Sequence, residues 1–178
     1  KEIEGIQART DFDLKQQQEY SRMKIQYFDT EINQIYVPYV IETSIGLDRM
    51  FLLTICNAYE EEDLSTADKQ DSRVILHLPA KLAPIKLAIF PLTKKDGLPE
   101  LARQLMDDCK QSFYCFYEEK DAIGKRYRRQ DAIGTPFCVT IDHQTKEDGT
   151  VTIRHRDSMA QERIPLSEVK QLVLGKVS

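Results

Sequence analysis

Residues 41–49, with the sequence IETSIGLDR, bring a carboxylate, a hydroxyl, a glycine and a guanidinium close together along the chain. The carboxylate of Glu42 can accept charge-assisted hydrogen bonds from an ammonium group. Ser44 adds a hydroxyl, Gly46 permits close approach to the backbone, and the planar guanidinium of Arg49 can stack on a base and bind phosphate oxygens. The same pattern also fits an ordinary strand end that has a capping serine and a surface arginine.

A second segment places carboxylates at Glu2 and Glu4, followed by Arg9 and by residues 11–14, DFDL. Side chains two residues apart on a strand share one face. Glu2 and Glu4 are therefore predicted to face a cation together, for example Mg²⁺ on a nucleotide. A solvated edge strand would carry the same residues, so both interpretations remain open.

Basic side chains concentrate in two places near the end of the chain. Residues 121–131, DAIGKRYRRQD, hold four basic residues within five positions, interleaved with a tyrosine. Residues 154–158, RHRDS, combine guanidinium groups with the acceptor Asp157. Such residues contact phosphates and stack on or hydrogen-bond to single-stranded bases. The alternatives are a solvated helix face and a polar strand end.

Bulk composition excludes several classes of protein. The chain has 178 residues, 41% apolar and 30% charged, with a net charge of −4, which is typical of a globular domain and argues mildly against a general nucleic-acid binder. No apolar run approaches the ~20 residues that span a bilayer, and we expect no signal peptide. The four cysteines and three histidines show no metal-binding spacing, so we expect free thiols in a reducing compartment.

The pattern of apolar residues predicts two domains, residues 1–71 and 72–178. Residues 60–71 are acidic, polar and without periodicity, which is typical of an exposed connection. In the first domain we expect a strand at residues 2–6, a helix at 12–20, and a strand at 36–41 that leads into a helix near 44–47.

The second domain alternates strands with helices. The predicted elements are strands at residues 85–90, 113–117, 137–141 and 150–154, helices at 98–109 and 122–131, a hairpin turn at 148–149, and a last helix capped by Ser167. This order predicts a three-layer α/β fold with a mixed sheet and helices on both faces.

Taken in order, these segments resemble class II glycyl-tRNA synthetases of the homodimeric type. Residues 38–49 look like the third class II signature, and residues 2–14 resemble the strand and loop before it. Similarity to the anticodon-binding domain of these enzymes covers residues 82–86, 123–127, 131–136 and 151–159, the last three being shared with the histidyl, prolyl and threonyl enzymes. The resemblance implies part of an antiparallel-sheet catalytic core and linker in residues 1–71, and an anticodon-binding domain in residues 72–178.

The resemblance also implies roles for individual residues. Glycine would be bound by Glu42, Thr43 and Ser44, with Glu42 on the ammonium group. ATP would be bound by Glu2, Ile3, Gly46, Leu47, Asp48 and Arg49, with Glu2 also holding Mg²⁺. The tRNA anticodon would be contacted by Lys125, Arg126, Arg154 and Asp157. Thr43 stands where many relatives have proline.

The implied partners are glycine, ATP, Mg²⁺ and a glycine-accepting tRNA, in a cytoplasmic homodimer with no membrane association. The first and second class II signatures are not found, and Lys1 leads directly into a patterned segment. We therefore expect a chain cut inside a folded element that forms no glycyl-adenylate by itself. The alternatives are a non-catalytic tRNA-binding accessory module of the same fold and a sibling ligase for another amino acid.

Overall fold

The computed structural model describes residues 2–177, which divide into two compact units, one ending at Leu53 and the other beginning at Thr54. None of the helices within the described residues combines the length and apolar character needed to cross a bilayer. All four cysteines are free thiols in the structure.

The first unit is built on antiparallel strand pairs. Its elements are β1 (Glu4–Thr10), α1 (Phe12–Ser21), β2 (Tyr27–Asp29), β3 (Gln34–Tyr36), β4 (Val40–Ile45) and the first half of α2 (Leu47–Ala58). Strand β1 pairs with β4, and β2 pairs with β3. The strand predicted at 36–41 begins only at Val40, after Pro38, which has no backbone N–H to donate to a ladder.

Apolar side chains of the first unit are largely uncovered. None of its described residues is buried, and Ile41 and Leu47 are 75% and 82% exposed. Both side chains are of the types that are usually buried. This part of the chain therefore forms no hydrophobic core of its own among the described residues.

The second unit contains a hairpin and a five-stranded sheet. Its elements are the end of α2, β5 (Tyr59–Asp63), β6 (Ser72–Leu76), β7 (Leu87–Pro91), α3 (Leu98–Cys109), β8 (Cys115–Tyr117), α4 (Ile123–Ile133), β9 (Phe137–Ile141), α5 (His143–Asp148), β10 (Thr150–His155), β11 (Gln161–Pro165), a 3-10 turn (Leu166–Glu168) and α6 (Val169–Val177). The strand order is β11-β10-β9-β7-β8. Strand β7 is parallel to both neighbours, whereas β10 is antiparallel to β9 and β11.

Helices cover both faces of this sheet, which confirms the predicted three-layer α/β fold. Leu87 and Ile89 pack with α3 and α6 on one face, while Ala88 and Phe90 pack with α4 on the other. Strands β7 and β9 are buried along their whole length, which explains their continuous apolar sequences.

The polar segment 60–71 contains more structure than an exposed connection. Strand β5 pairs with β6 in antiparallel register, from Tyr59↔Leu76 to Asp63↔Ser72. The acidic sequence of β5 does not indicate a strand. Its Glu62 is nevertheless accommodated because it lies opposite Arg73 in the hairpin and pairs with it. Since the hairpin belongs to the second unit, the division of the chain lies nearer its start than the predicted boundary after residue 71.

Near the end of the chain, two local predictions were wrong and one strand was missed. The expected hairpin turn at 148–149 is the end of α5, which Asp142 caps reciprocally with Thr145, and Gly149 ends it with a φ of +71°. Strand β11 was not predicted because its sequence, QERIP, is mostly polar. Ser167 lies inside the 3-10 turn and does not cap the last helix.

Candidate functional site

The β1–β4 pair places Glu42 and Ser44 on one face. They are two residues apart on β4, opposite Gln7 and Gly5 of β1. A Cβ atom built on Gly5 would lie 3.3 Å from Ser44 Oγ, so the glycine keeps this face open. Thr43 alternates to the other face, where it pairs with Ile6, so its side chain is not brought together with the other two predicted glycine-binding residues.

Arg9 is a site residue that the sequence interpretation did not assign. The β1–β4 register shifts between Ala8 and Thr10, and this bulge aims Arg9 at Glu42, with Nε 3.3 Å from Oε2. Arg9 Nε also donates to Asp13 Oδ2 at 2.6 Å. The hydrogen bond and charge of Asp13, with the charge of Glu42, raise the pKa of Arg9 above its ordinary value. Glu42 therefore lies between a permanent cation and open space.

A groove of about 430 Å³ gathers the residues predicted to bind ATP. It is lined by Glu2, Ile3, Ser44, Ile45, Gly46, Leu47, Asp48 and Arg49. Two contacts close one side of the groove: Arg49 Nη1 donates to the Glu2 carbonyl at 2.6 Å, and Gly46 N donates to the Ile3 carbonyl at 3.4 Å. Residues from both ends of the first unit thus meet at one place, because β1 pairs with β4.

Glu2 and Glu4 do not share a face as predicted. Strand β1 begins only at Glu4, which pairs with Ile45, and Glu2 lies before the strand. The carboxylate of Glu2 approaches the open face, with Oε1 3.0 Å from a Cβ built on Gly5. Within residues 2–177 no cluster of three or more His, Cys, Asp or Glu could hold a metal ion.

Arg126, predicted to contact the anticodon, lies in the interior. Its guanidinium donates to backbone carbonyls of Pro91 at 2.6 Å, Asp121 at 2.8 Å and Lys120 at 3.2 Å. The basic run spreads around α4, and Arg126 occupies the side that faces the sheet. Its donors are used to hold the loop before α4 against the end of β7.

Arg154 is likewise buried, and it forms a two-pronged ion pair. Nη1 and Nη2 donate to the two carboxylate oxygens of Asp131 at 2.8 and 3.0 Å, and the guanidinium lies 4.8 Å from the centre of the Tyr127 ring. Arg73 Nη1 adds a third hydrogen bond to Asp131 at 3.2 Å. Burial by itself would lower the pKa of Arg154, but Asp131 outweighs it and raises this pKa. In this arrangement neither Arg126 nor Arg154 presents its guanidinium to a ligand.

Lys125 and Asp157 are exposed, in contrast to the two arginines. Within the part of the chain that the structure describes, no carboxylate lies within ion-pair distance of Lys125. Asp157 accepts from Arg156 Nε at 2.7 Å and from His77 Nδ1 at 2.8 Å. Burial by itself would raise the pKa of Asp157, but Arg156 and, to a smaller degree, His77 hold it below its usual value.

Strand order places a topological switch point between β7 and β9, which the sequence interpretation did not consider. From β7 the chain crosses to β8 on one side, and from β8 it returns to β9 on the other. Ligands of open α/β sheets bind beyond the carboxyl ends of strands at such a switch point. Thr93 and His143 follow β7 and β9 there, and Thr93 Oγ1 is buried without a hydrogen-bond partner in the structure. The sequence could have indicated this place, because Thr93 and His143 come shortly after the strands predicted at 85–90 and 137–141.

Three related proteins are similar to nearly the whole chain. The glycine–tRNA ligase of Chlorobaculum tepidum is 49% identical over 99% of this chain and 37% of its own length. The glycine–tRNA ligase of Treponema denticola is 50% identical over 95% of this chain and 38% of its own length. That of Borrelia hermsii is 50% identical over 99% of this chain and 39% of its own length. The chain therefore spans under two fifths of the length of these curated relatives.

A family match covers the five-stranded sheet. The family described as anticodon binding domain matches residues 86–176, from the residue before β7 to the last turn of α6. This range is just over half of the chain. Together with the glycine–tRNA ligase homologues, this match shows that the chain belongs to the anticodon-binding-domain family.

Proposed function

We propose that this chain is part of a glycine–tRNA ligase. Its first unit would supply part of the glycine and ATP site, and its second unit would bind the anticodon of a glycine-accepting tRNA. The observation that carries the proposal is the gathering of Glu2, Ile3 and residues 44–49 around one groove, in a chain about half identical to glycine–tRNA ligases. The same assignment implies a homodimer in the cytoplasm. Gel filtration of the longer ligase tests the dimer.

The reaction proposed for the whole ligase has two steps. An oxygen of the glycine carboxylate attacks the α-phosphorus of ATP, and pyrophosphate leaves. The 3′-terminal hydroxyl of tRNA then attacks the carbonyl carbon of the adenylate, and AMP leaves. Neither step needs a side-chain nucleophile, so the protein contributes positioning and electrostatic stabilisation.

Glu42 is the proposed partner of the glycine ammonium group. Its carboxylate faces the open side of the sheet at Gly5, and Arg9 holds it from the other side at 3.3 Å. Arg9 fixes the position of one carboxylate oxygen, and the other oxygen can accept from an ammonium group. Ser44 adds a hydroxyl on the same face. The lack of a side chain at Gly5 keeps the space beside Glu42 open for the glycine substrate, since a larger residue at this position would crowd Glu2 and Ser44.

Arg49 is the proposed contact to the adenine and phosphates of ATP. Its Nη1 is fixed to the Glu2 carbonyl, which leaves the other side of the guanidinium toward the groove. Glu2 would hold Mg²⁺ together with the phosphates, and the ion would neutralise phosphate charge. The test is nucleotide binding to the longer ligase, in which Arg49→Ala is expected to weaken ATP much more than glycine.

We expect the 178-residue chain to form no glycyl-adenylate alone, because it lacks the class II signature that grips the α-phosphate. ATP–pyrophosphate exchange with glycine tests this expectation. Exchange by the chain at a rate near that of a full-length relative would overturn it. A longer ligase that bound tRNA but neither glycine nor ATP would instead favour the accessory-module alternative.

For the second unit, we propose that Lys125 and Asp157 contact tRNA directly, while Arg126 and Arg154 hold the surface in place. Exposure of the first two side chains and burial of the last two support this division. The test is fluorescence anisotropy with a glycine-accepting tRNA and the same tRNA carrying a changed anticodon. A clear preference for the native anticodon supports the proposal, whereas equal and strongly salt-dependent binding of both tRNAs contradicts it.

A further inference from the structure

A groove of about 720 Å³ lies between strand β6 and helix α4, and most of its charged side chains are cationic. The lining cations are Lys69, Arg73, Lys125, Arg128 and Arg129, and the lining carboxylate is Asp71. Arg73 is already committed, since it is buried and paired with Glu62 and Asp131. Of the other four cations, Arg128 and Arg129 are paired with carboxylates, whereas Lys69 and Lys125 form no hydrogen bond to a carboxylate of the described residues, so the groove favours an anionic ligand.

Two of these cations are fixed in position. Arg128 Nη1 donates to the Ser72 carbonyl at 2.7 Å, and its Nη2 donates to Asp71 at 2.9 Å. Arg129 pairs with Glu118 at 2.8 Å and with Asp121 at 3.1 Å. Both side chains stay partly exposed, at 36% and 41%, and line the groove, and their ion pairs reduce the rotamer freedom that ligand binding would cost them.

The other two cations are available for a ligand. Lys69 is 76% exposed, and its Nζ lies 3.7 Å from Asp71, too far for a hydrogen bond. Lys125 is exposed on the first turn of α4, with no carboxylate of the described residues in ion-pair range. Lys69 comes from the β5–β6 hairpin and Lys125 from α4, so they flank the groove from opposite sides.

The shape of the groove selects among anions. Its lining includes the small residues Ala122, Gly124 and Ala132, and a Cβ atom built on Gly124 would meet nothing within 4 Å. None of the lining residues is aromatic, so the groove offers no platform for a stacked base. An open, cationic groove that offers no stacking contact to bases fits the sugar-phosphate backbone of a nucleic acid.

We propose that the β6–α4 groove binds the sugar-phosphate backbone of tRNA, with Lys69 and Lys125 each contacting a phosphate. This inference rests on the proposed function and specifies it: Lys125 anchors the backbone and does not read a base. It also assigns a tRNA contact to the β5–β6 hairpin, outside the matched anticodon-domain residues 86–176.

The test is a salt titration of tRNA binding by the 178-residue chain. Each lost phosphate contact should lower the slope of log affinity against log salt by about 0.7–0.9. We expect that fall in Lys69→Ala and in Lys125→Ala, and about twice that fall in the double variant. The ratio of affinities for native and changed-anticodon tRNA should stay as in the unmodified chain.

The matched control is Lys110→Ala, which removes an exposed lysine at the end of α3, on the opposite face of the sheet. Thermal melting confirms that each variant is folded. Slopes unchanged from those of the control, or loss of anticodon preference in Lys69→Ala or Lys125→Ala, would overturn the inference. If the unmodified chain binds both tRNAs equally while the slopes fall as expected, the groove is supported and the anticodon function fails instead.

Discussion

Arg154 donates two parallel hydrogen bonds to Asp131 in the interior of the second unit, at 2.8 and 3.0 Å. Arg73 joins the same carboxylate from the β5–β6 hairpin and also donates to the Arg156 carbonyl at 3.0 Å. A single buried acid therefore ties the hairpin, helix α4 and strand β10 together. The groove and the exposed face of α4 depend on this junction for their shape.

Asp131→Asn is predicted to destabilise the second unit by about 3–5 kcal/mol, because it leaves Arg73 and Arg154 buried without their shared counter-charge. Urea denaturation followed by circular dichroism measures this free energy. The control is Asp107→Asn, whose carboxylate is 66% exposed and pairs with Lys110 at the surface. Surface pairs contribute about 0–1 kcal/mol, so a similar small loss for Asp131→Asn would refute the role of the junction.

Gly134→Ala is predicted to destabilise the chain through both backbone and packing. Gly134 ends α4 with a φ of +83°, and a Cβ there would lie 2.9 Å from Leu78 Cδ1 and 3.1 Å from the Leu76 carbonyl. Gly149 has a similar φ of +71° but open space around it. Gly134→Ala should therefore cost about 1–3 kcal/mol more than Gly149→Ala. Equal losses in urea denaturation would show that the crowding at Gly134 relaxes without cost.

The order of strands and helices could be predicted because β7, β9 and α3 carry strong apolar patterns. Leu98–Cys109 and Phe137–Ile141 fold as predicted. Strands β5 and β11 were missed because their side chains are mainly charged or polar, and they are specified by partners distant in sequence. Glu62 pairs with Arg73, and neither side chain alone indicates a strand.

The gathering of residues 2–3 and 44–49 around one groove could be predicted because they belong to two contiguous segments that strand pairing brings together. The roles of Arg126 and Arg154 could not be predicted. The sequence does not distinguish a buried arginine that binds carbonyls or Asp131 from an exposed arginine that binds RNA. The difference lies in which side of α4 or β10 faces the sheet. Arg9 was missed as a site residue because a bulge, which sequence alone does not reveal, turns it toward Glu42.

Acid is predicted to weaken the turn between α5 and β10 through Asp148. Hydrogen bonds from Thr150 Oγ1, Gln144 and the Thr150 N–H lower the pKa of Asp148 to about 2, below its ordinary 3.8. A lowered native pKa gives stability that is complete above pH 4 and is lost as the pH falls toward 2. Asp148→Asn keeps an acceptor for Thr150 but does not titrate, so stability should depend less on pH in that window.

Urea midpoints at several pH values between 4 and 2 measure this effect. Asp107→Asn, at the exposed end of α3, serves as the control for removing one carboxylate from the surface. A pH dependence for Asp148→Asn as steep as that of the control would contradict the proposed hydrogen bonding of Asp148.

Arg154→Ala and Lys125→Ala are predicted to separate stability from tRNA contact. Removing Arg154 breaks its pair with Asp131 and should cost about 3–5 kcal/mol of unfolding free energy. Arg154→Lys should recover only part of this loss, because an ammonium group cannot reproduce the two-pronged geometry.

Lys125→Ala should leave the urea midpoint within experimental error, because the Lys125 ammonium group has no carboxylate partner among the described residues. It should nevertheless weaken tRNA binding. Anisotropy well below each melting temperature completes the comparison: Arg154→Ala with unchanged stability but lost anticodon preference would make Arg154 a reader of bases after all.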